Sequence, residues 1–171
     1  MDVSDEPLFR VRRVQGGEDL EHVRALFLEY ARSLEFSLCF QDFGSELAGL
    51  PGEYAVPRGC VLLAVDGDDL LGCVALRPLE PGACEMKRLY VRPRHRGRGI
   101  GKFLAKTIIQ EGRERGYRTM RLDTVPSMAG AIALYRSLGF EPIAPYRENP
   151  VPGALFFEVS LVELLGASGA T

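Results

Sequence analysis

The chain has 171 residues, a length typical of one globular domain that buries its own core. Its composition, 46% hydrophobic and 26% charged with a net charge of -2, excludes a disordered or fibrous protein and by itself predicts no partner. The four cysteines form no C-x-x-C pair and the chain has only two histidines, so we expect buried, reduced thiols and no metal site.

The two ends of the sequence bear on where the protein works. The first residues, MDVSDEPLFRV, are acidic and lack the basic-then-apolar order of a signal peptide. No apolar run approaches the roughly 20 residues that a membrane span needs. We therefore predict a cytoplasmic protein with no membrane partner, and we expect the small, polar tail 166–171 to be frayed.

The first third of the chain predicts a strand followed by two helices. Residues 8–14 alternate apolar and basic side chains with the period of two that a half-buried strand shows. From Asp19 to Leu34 the apolar residues recur three and four positions apart, which predicts a helix with one buried face. A shorter helix is expected over 42–50, before a loop that is rich in proline and glycine.

The remaining two thirds predict strands that are separated by helices. Asp66 and Gly67 join two apolar runs into a hairpin, and Gly139 closes the last helix. The expected elements are a hairpin over 60–79, strands over 83–93, 119–125 and 154–161, and helices from Ile100 and over 129–140. The order β-α-α-β-β-β-α-β-α-β-β predicts one mixed α/β (α+β) domain.

A basic, glycine-rich turn stands between a predicted strand and a predicted helix. The stretch 92–117 reads RPRHRGRGIGKFLAKTIIQEGRERGY, with glycine at Gly97, Gly99 and Gly101. Backbone N–H groups and the dipole at a helix N-terminus attract anions, and glycine permits positive φ and close approach of a ligand. We therefore expect a phosphate site in this turn. The cations placed to add charge-assisted hydrogen bonds are Arg94, Arg96, Arg98 and Lys102.

Two common phosphate motifs do not fit this turn. Walker A requires Ser or Thr after its lysine, but Phe103 follows Lys102. The dinucleotide pattern G-x-G-x-x-G requires glycine where Lys102 stands. A solvated basic turn without a ligand remains an alternative. Nucleic acid is disfavoured as a partner, because the chain has neither a basic overall balance nor a recognition helix.

The pattern R-x-x-G-x-G from Arg96 to Gly101 resembles the [QR]-x-x-G-x-[GA] turn with which GCN5-related N-acetyltransferases (GNAT) hold the pyrophosphate of coenzyme A. The later segment AIALYRSLGF, from Ala131 to Phe140, is similar to the A-x-x-L-Y-x-x-x-G-F segment of that family. The resemblance covers about 8–161. It implies a single N-acetyltransferase domain over 1–171, with a mixed, mostly antiparallel central sheet flanked by helices.

The same resemblance implies acetyl-CoA as cosubstrate and no metal. In the family, the strand before the turn separates from its neighbour at a bulge, and the acyl chain of the cosubstrate lies in the gap. The residues that would bind the cosubstrate are Leu89, Tyr90, Val91, Arg96, Gly97, Arg98, Gly99, Ile100, Gly101 and Lys102. The amide of Leu89 would stabilise the oxyanion of the reacting thioester.

Acetyl transfer to an amine calls for an acid and a base. Tyr135 occupies the position of the family's acid, and a phenol with a pKa of about 10 can protonate a thiolate at modest cost. Glu85 is the predicted base, with a pKa raised toward neutrality by desolvation. The alternatives are a core role for Tyr135 and, for Glu85, a salt bridge to Lys87 or Arg88.

Two further positions qualify the resemblance. Asp123 is an alternative carboxylate on the strand 119–125, although an outward ion pair is the more common role of such a residue. The asparagine that the family carries three residues before Ala131 is replaced by Met128, with Ser127 beside it. The polar contact that the family makes there is therefore in doubt.

The acceptor is predicted to be a primary amine of a small molecule or peptide, bound by the variable segments 35–47 and 144–155. The candidate acceptor residues are Phe40, Asp42, Phe43, Arg88, Tyr146 and Asn149. A half-apolar pocket with a carboxylate attracts an amine, and Arg88 would read an acceptor carboxylate. Alternatives are a non-catalytic CoA-binding module and, less favoured, an anion-binding or nucleic-acid-binding protein. A homodimer that pairs through the last strand is also left open.

Overall fold

A computed structural model of the chain describes residues 8–38 and 42–162. Its strands are β1 (Arg10–Arg13), β2 (Cys60–Asp66), β3 (Asp69–Glu80), β4 (Ala83–Val91), β5 (Thr119–Thr124), β6 (Glu141–Pro142) and β7 (Leu155–Ser160). Its α-helices are α1 (Glu18–Ser33), α2 (Phe43–Ala48), α3 (Ile100–Glu114) and α4 (Ala129–Ser137). Short 3-10 helices cover Gly52–Tyr54 and Pro93–His95. The order of strands and α-helices is the one that the sequence predicts.

The predicted bounds differ from the observed ones mainly at the ends of elements. The first strand is shorter than the predicted 8–14: Arg10 to Arg13 pair in register with β2, Val14 adds one backbone hydrogen bond to Val61, and the side chain of Leu8 is exposed. The second helix is likewise shorter than 42–50 and buries none of its residues. Apolar periodicity therefore located both elements but overestimated their lengths.

The seven strands form one sheet in the order β1-β2-β3-β4-β5-β7-β6. All neighbouring strands are antiparallel except β4 and β5, which are parallel. This parallel pairing comprises only three residue pairs, from Ala83 with Thr119 to Glu85 with Arg121. Beyond that point β4 and β5 separate, and the gap between them becomes the deepest part of the site.

A bulge in β4 lies within the separated part of the strand. Cys73 of β3 is opposite Tyr90 while Ala75 is opposite Lys87, so β4 carries one more residue than β3 in this interval. Arg88 has a φ of 59°, the left-handed conformation typical of a bulge. Adjacent side chains of a regular strand point to opposite faces of the sheet. Because of the bulge, Lys87 and Arg88 instead point to the same face.

The sheet separates two hydrophobic cores. On one face, α3 and α4 pack on the strands through residues such as Leu104, Ile108 and Tyr135. On the other face, α1 contributes Val23, Leu26 and Phe27 to a smaller core. β4 contributes Cys84 and Met86 to the first core and Tyr90 to the second, so the strand that borders the gap is packed on both faces.

The described cysteines agree with the expectation of buried, reduced thiols. Cys60, Cys73 and Cys84 are buried and free, and burial raises the pKa of each thiol. Cys39 lies outside the described residues. Among the described helices, none combines the length and the apolar character that crossing a membrane requires.

Candidate active site

A cleft of about 620 Å³ lies between the end of β4, the glycine turn and the start of α4. One wall carries Leu89, Tyr90 and Val91, and the opposite wall carries residues from Ser127 to Leu134. Tyr30 and Phe36 contribute from α1 and the segment after it. The cleft therefore occupies the space that opens where β4 leaves β5.

The outer end of the cleft is the turn that precedes α3. Gly99 is the N-cap of α3 with a φ of 78°, and Gly97 has a φ of 83°. A Cβ atom at either glycine would meet nothing within 4 Å, so their surroundings leave open space for a ligand. No side chain in the described residues caps α3, so its first N–H groups remain available to an anion.

Eight of the ten predicted cosubstrate residues line the cleft: Leu89, Tyr90, Val91, Arg96, Gly97, Gly99, Ile100 and Gly101. Arg96 is held in place by a 3.0 Å hydrogen bond from its Nε to the carbonyl of Val91. The other two predicted residues are exposed and do not line it. Arg98 instead contacts His95 and Asp66.

A second cavity, of about 40 Å³, adjoins the inner end of the cleft. The two share Tyr30, Phe36, Leu89 and Met128 in their linings. The side chains that line the small cavity alone include Lys87, Arg88, Asp123, Thr124, Tyr135 and Asn149. The glycine turn, the cleft and this polar cavity therefore form one continuous site along the gap between β4 and β5.

Tyr135, the acid that the sequence predicts, lies in the wall of the small cavity. Its ring packs edge-on against Phe140, and only 7% of the residue is exposed. Burial raises the pKa of Tyr135 well above 10, so the expectation of an ordinary phenol pKa is wrong. At neutral pH this phenol stays protonated, so it can donate a hydrogen bond but is a weaker acid than predicted.

A buried ion pair faces Tyr135 from the strands. Lys87 Nζ lies 3.6 Å from Asp123 Oδ1, and each side chain is 3% exposed. Asn149 Nδ2 donates a 3.1 Å hydrogen bond to the other oxygen of Asp123. Burial lowers the pKa of Lys87 to about 8, although Glu85 and Asp123 act to raise it. This lysine can therefore exchange a proton near neutral pH.

Glu85 occupies a different environment from the one that the sequence suggested. Its carboxylate is fully buried and lines neither cavity. Burial by itself raises the pKa of Glu85, but the positive charges of Lys87, Arg147 and Arg77 outweigh it. The pKa of Glu85 is therefore lowered, and the expectation of a pKa near neutrality is wrong.

The contacts of Glu85 fasten the loop between β6 and β7 to the sheet. Tyr146 donates a 2.6 Å hydrogen bond to Glu85, and Arg147 pairs with the same oxygen. Arg77 of β3 donates a 2.9 Å bond to the other oxygen. Glu85 thus forms ion pairs with Arg77 and Arg147, and these contacts hold this loop against the sheet.

The predicted acceptor residues fall into different places. Arg88 and Asn149 line the small cavity, whereas Tyr146 lies beside it against Glu85. The ring of Phe43 is 5.1 Å from the guanidinium of Arg88, which also forms an ion pair with Glu46.

The remaining predicted acceptor residues are Asp42 and Phe40. Asp42 lines a separate groove with Glu53 and Arg77. Phe40 lies outside the described residues.

Among the residues of this site, sequence reasoning did not single out Tyr30, Lys87 and Thr124, and it included Phe36 only as part of the acceptor segment 35–47. Tyr30 and Phe36 read as ordinary apolar positions of a helix and of the segment after it. Lys87 could have been noticed in the sequence, because a charged residue is unusual within a strand that is buried on both faces. Thr124 also interrupts an apolar face, that of β5.

Comparisons with known proteins agree with this geometry. The sequence profile of the acetyltransferase (GNAT) family matches residues 20–140. An uncharacterised N-acetyltransferase of Schizosaccharomyces pombe is 41% identical over 146 residues, which are 84% of this chain and 90% of that protein. N-acetyltransferase 8F1 of Rattus norvegicus is 32% identical over 102 residues, which are 57% of this chain and 46% of that protein.

Solved structures show the same fold at low sequence identity. A GNAT-family acetyltransferase of Staphylococcus aureus superposes with a TM-score of 0.72 at 19% identity, over 90% of this chain and all of that one. An acetyltransferase of Bacillus subtilis, solved in complex with CoA, gives a TM-score of 0.65 at 20% identity. That match covers 90% of this chain and 99% of the other.

Proposed function

This chain belongs to the acetyltransferase (GNAT) family, and on that premise we propose that it transfers an acetyl group from acetyl-CoA to a primary amine of a small molecule or peptide. The observation that carries the proposal is the continuous site between β4 and β5. It joins an uncapped helix N-terminus with two left-handed glycines to a buried polar cavity. The CoA complex of the Bacillus subtilis protein supports the same cosubstrate.

The described residues fit the shape of acetyl-CoA. The pyrophosphate would lie against the N–H groups that follow Gly99, where a side chain at Gly97 or Gly99 would intrude. The edge of β4 from Leu89 to Val91 has no strand partner on the β5 side among the described residues, so its backbone can pair with the pantetheine amides. The thioester would then reach the small cavity beside Tyr135.

Three groups of the chain would act on the reacting atoms. The amide of Leu89, a residue that lines both cavities, would donate to the developing oxyanion. Tyr135 would donate a hydrogen bond to the departing sulfur. The acceptor nitrogen forms its bond to the carbonyl carbon, the carbon–sulfur bond breaks, and the amine proton passes to a base of the protein.

We propose the pair Asp123 and Lys87 as that base. Both side chains line the small cavity; with a pKa of about 8, Lys87 has a neutral fraction near neutral pH that can accept the amine proton, and Asp123 stabilises the ammonium so formed. Glu85 as the base stays a prediction from the sequence. Its lowered pKa and its position outside the cavity favour Asp123 and Lys87 in that role. Glu85 would instead position the loop that carries Tyr146 and Arg147.

The acceptor would enter from the side of α1 and the β6–β7 loop. Tyr30 and Phe36 provide an apolar wall, and Arg88, Asp123 and Asn149 provide polar groups. A wall of this kind suits a primary amine on a partly apolar body. A cytoplasmic location and a homodimer stay predictions from the sequence.

The first test is calorimetric titration of the purified protein with acetyl-CoA, repeated with Gly99→Glu. The substitution places bulk and negative charge where the pyrophosphate would lie, so we expect micromolar binding by the wild type and at least a hundredfold loss in the variant. Wild-type protein that does not bind acetyl-CoA would overturn the proposal. Binding without acetyl transfer to any amine in a broad screen would favour the non-catalytic alternative.

A further inference from the structure

The hydroxyl of Thr124 is a feature of the site that the proposed function leaves unexplained. Thr124 is the last residue of β5, and only 6% of it is exposed. Its Oγ1 is buried and has no hydrogen-bond partner among the described residues. The side chain lines the small cavity that also contains Tyr135.

An unpaired buried hydroxyl is costly, and a valine of nearly the same shape would avoid that cost. The preceding residues on the same face of β5, Met120 and Leu122, are apolar and belong to the core. The strand pattern therefore calls for an apolar side chain at position 124. A polar group retained there without a partner in the protein indicates a partner in the bound ligand.

The topology brings this hydroxyl close to the reacting end of the site. The pairing of β4 with β5 ends at Arg121, three residues before Thr124, so Thr124 stands beside the open gap. Leu89 lines the same cavity from β4, and Tyr135 lines it from α4. We propose that Thr124 is a catalytic residue whose hydroxyl donates a hydrogen bond to the thioester sulfur, an inference that rests on the proposed function.

The chemistry of the departing thiol explains why a second donor is useful. When the carbon–sulfur bond breaks, its electron pair stays on sulfur as a thiolate. Burial raises the pKa of Tyr135, so this phenol gives up its proton reluctantly. Two hydroxyl groups that donate to sulfur stabilise the thiolate without losing their protons, and solvent protonates it after release. The amine proton leaves separately, through Asp123 and Lys87.

The sulfur is a better partner for Thr124 than the carbonyl oxygen. The carbonyl oxygen is assigned to the amide of Leu89, on β4. Thr124 and Tyr135 stand on β5 and α4, across the gap from that amide. The thioester oxygen would therefore contact the β4 side of the gap, and the thioester sulfur would contact the β5 and α4 side.

The test uses free CoA and the variants Thr124→Val and Thr124→Ser. The ultraviolet absorbance of the thiolate reports the pKa of the bound CoA thiol as pH is raised. If Thr124 donates to sulfur, we expect Thr124→Val to raise that thiol pKa by about one unit, and kcat to fall about tenfold. Thermal stability should be unchanged or higher, because the unpaired hydroxyl is gone.

Thr124→Ser separates this role from a structural one. Serine keeps the hydroxyl and loses the methyl group. A catalytic role of the hydroxyl therefore predicts a nearly normal kcat for Thr124→Ser. A packing role predicts a lower kcat for Thr124→Ser than for Thr124→Val. Folded Thr124→Val that binds CoA with an unchanged thiol pKa and unchanged kcat overturns the inference and leaves the proposed function intact. Failure of the wild type to bind CoA overturns both.

Discussion

Glu85 and Asp123 show how two buried carboxylates of one sheet can differ in role. Both lie on the α1 face of the sheet, and both have a cation close by. Glu85 is surrounded by Arg77, Arg147 and the Tyr146 hydroxyl, outside the cavities, whereas Asp123 faces the cavity. The position of each carboxylate, and not its residue type, decides which one can act near a ligand in the cavity.

The pH–rate profile distinguishes these carboxylates. We expect Asp123→Asn to lower kcat about a hundredfold or more, because Lys87 loses the carboxylate that stabilises its protonated form. Glu85→Gln should leave the shape of the profile unchanged and raise KM for the acceptor, since it loosens the loop that carries Tyr146 and Arg147. Acetyl-CoA titration of both variants checks that they are folded. An acidic limb that moves in Glu85→Gln, but not in Asp123→Asn, would restore Glu85 as the base.

Asp19 gives the protein a measurable dependence of stability on pH. Arg12 donates two 2.7 Å hydrogen bonds to Asp19 and lowers the pKa of Asp19 from 3.8 to about 2. A lowered pKa stabilises the folded state above the pKa of the unfolded chain, and this stability is lost as pH falls from about 4 to 2. Because the Arg12 side chain is 35% exposed, solvent screening reduces the contribution to about 1 kcal/mol.

Asp19→Asn should therefore lower the free energy of unfolding by about 1 kcal/mol at neutral pH and by much less near pH 2. Urea unfolding across this pH range measures the difference. Glu18→Gln is the matched control, because it removes the same charge from the same turn of α1 at an exposed position. If the free energy of unfolding of Asp19→Asn stays below that of the wild type by the same amount down to pH 2, the ionised Asp19 carboxylate is not the cause of the difference.

Single-residue properties were predicted from the sequence only where a motif carried them. Gly97, Gly99 and Tyr135 were located by their segments, and the structure places all three at the site. The direction of the pKa shift at Glu85 was not predictable, because burial opposes Lys87, Arg147 and Arg77, and the two arginines approach Glu85 only in the folded chain. The unpaired hydroxyl of Thr124 likewise exists only in three dimensions.

At the scale of elements, the close approach of β3 to β4 determines the shape of the bulge. Gly72 of β3 pairs with Val91, and a Cβ atom on Gly72 would lie 2.3 Å from the carbonyl oxygen of Tyr90. A side chain at position 72 would have to push β4 toward the gap. Glycine is therefore required at Gly72 by a backbone contact and not by its own φ.

Gly72→Ala should lower the free energy of unfolding by about 1–3 kcal/mol and weaken acetyl-CoA binding, because Tyr90 and Val91 must move. Chemical denaturation and calorimetry measure the two effects. Gly44→Ala is the control: Gly44 lies in α2, where a Cβ atom meets nothing within 4 Å, so stability should stay the same or rise. Normal CoA affinity in a destabilised Gly72→Ala protein would show that the bulge does not depend on this contact.

Helices and strands were predictable because each has its own period of apolar residues. The hairpin of β2 and β3 and the helix α3 were located by such patterns and by the turn residues beside them. The bulge at Arg88 was expected only through the family resemblance, since nothing in the local pattern marks a left-handed arginine. Backbone irregularities of this kind arise from pairing with a neighbouring strand.

At the scale of the whole molecule, the sheet consists of two parts, β1 to β4 and β5 to β7, joined by three residue pairs. A ligand that pairs with β4 and contacts α4 connects these parts. The extent of this junction was not predictable from sequence, because strand periodicity does not tell how far two parallel strands stay together.

Acetyl-CoA should therefore stabilise the entire fold. At a ligand concentration one hundred times the dissociation constant, the free energy of unfolding should rise by about 2.7 kcal/mol and Tm by about 5–10 °C. Thermal unfolding measures this, with Gly99→Glu as the control that should show no shift. Hydrogen exchange should slow in both β4 and β5, and protection confined to the glycine turn would contradict a ligand that joins the two parts.

The separation of β4 from β5 also bears on how the protein behaves in concentrated solution. From Leu89 to Val91, β4 pairs with no strand on the β5 side in the described part of the chain, and proteins usually cover such an edge because it can recruit a strand from a neighbouring molecule. Here the edge lies at the centre of the sheet, where neither a charged side chain nor a short strand can shield it without blocking the ligand. The cosubstrate would thus also protect against aggregation, and the protein should remain monodisperse longer when it is purified and stored with CoA.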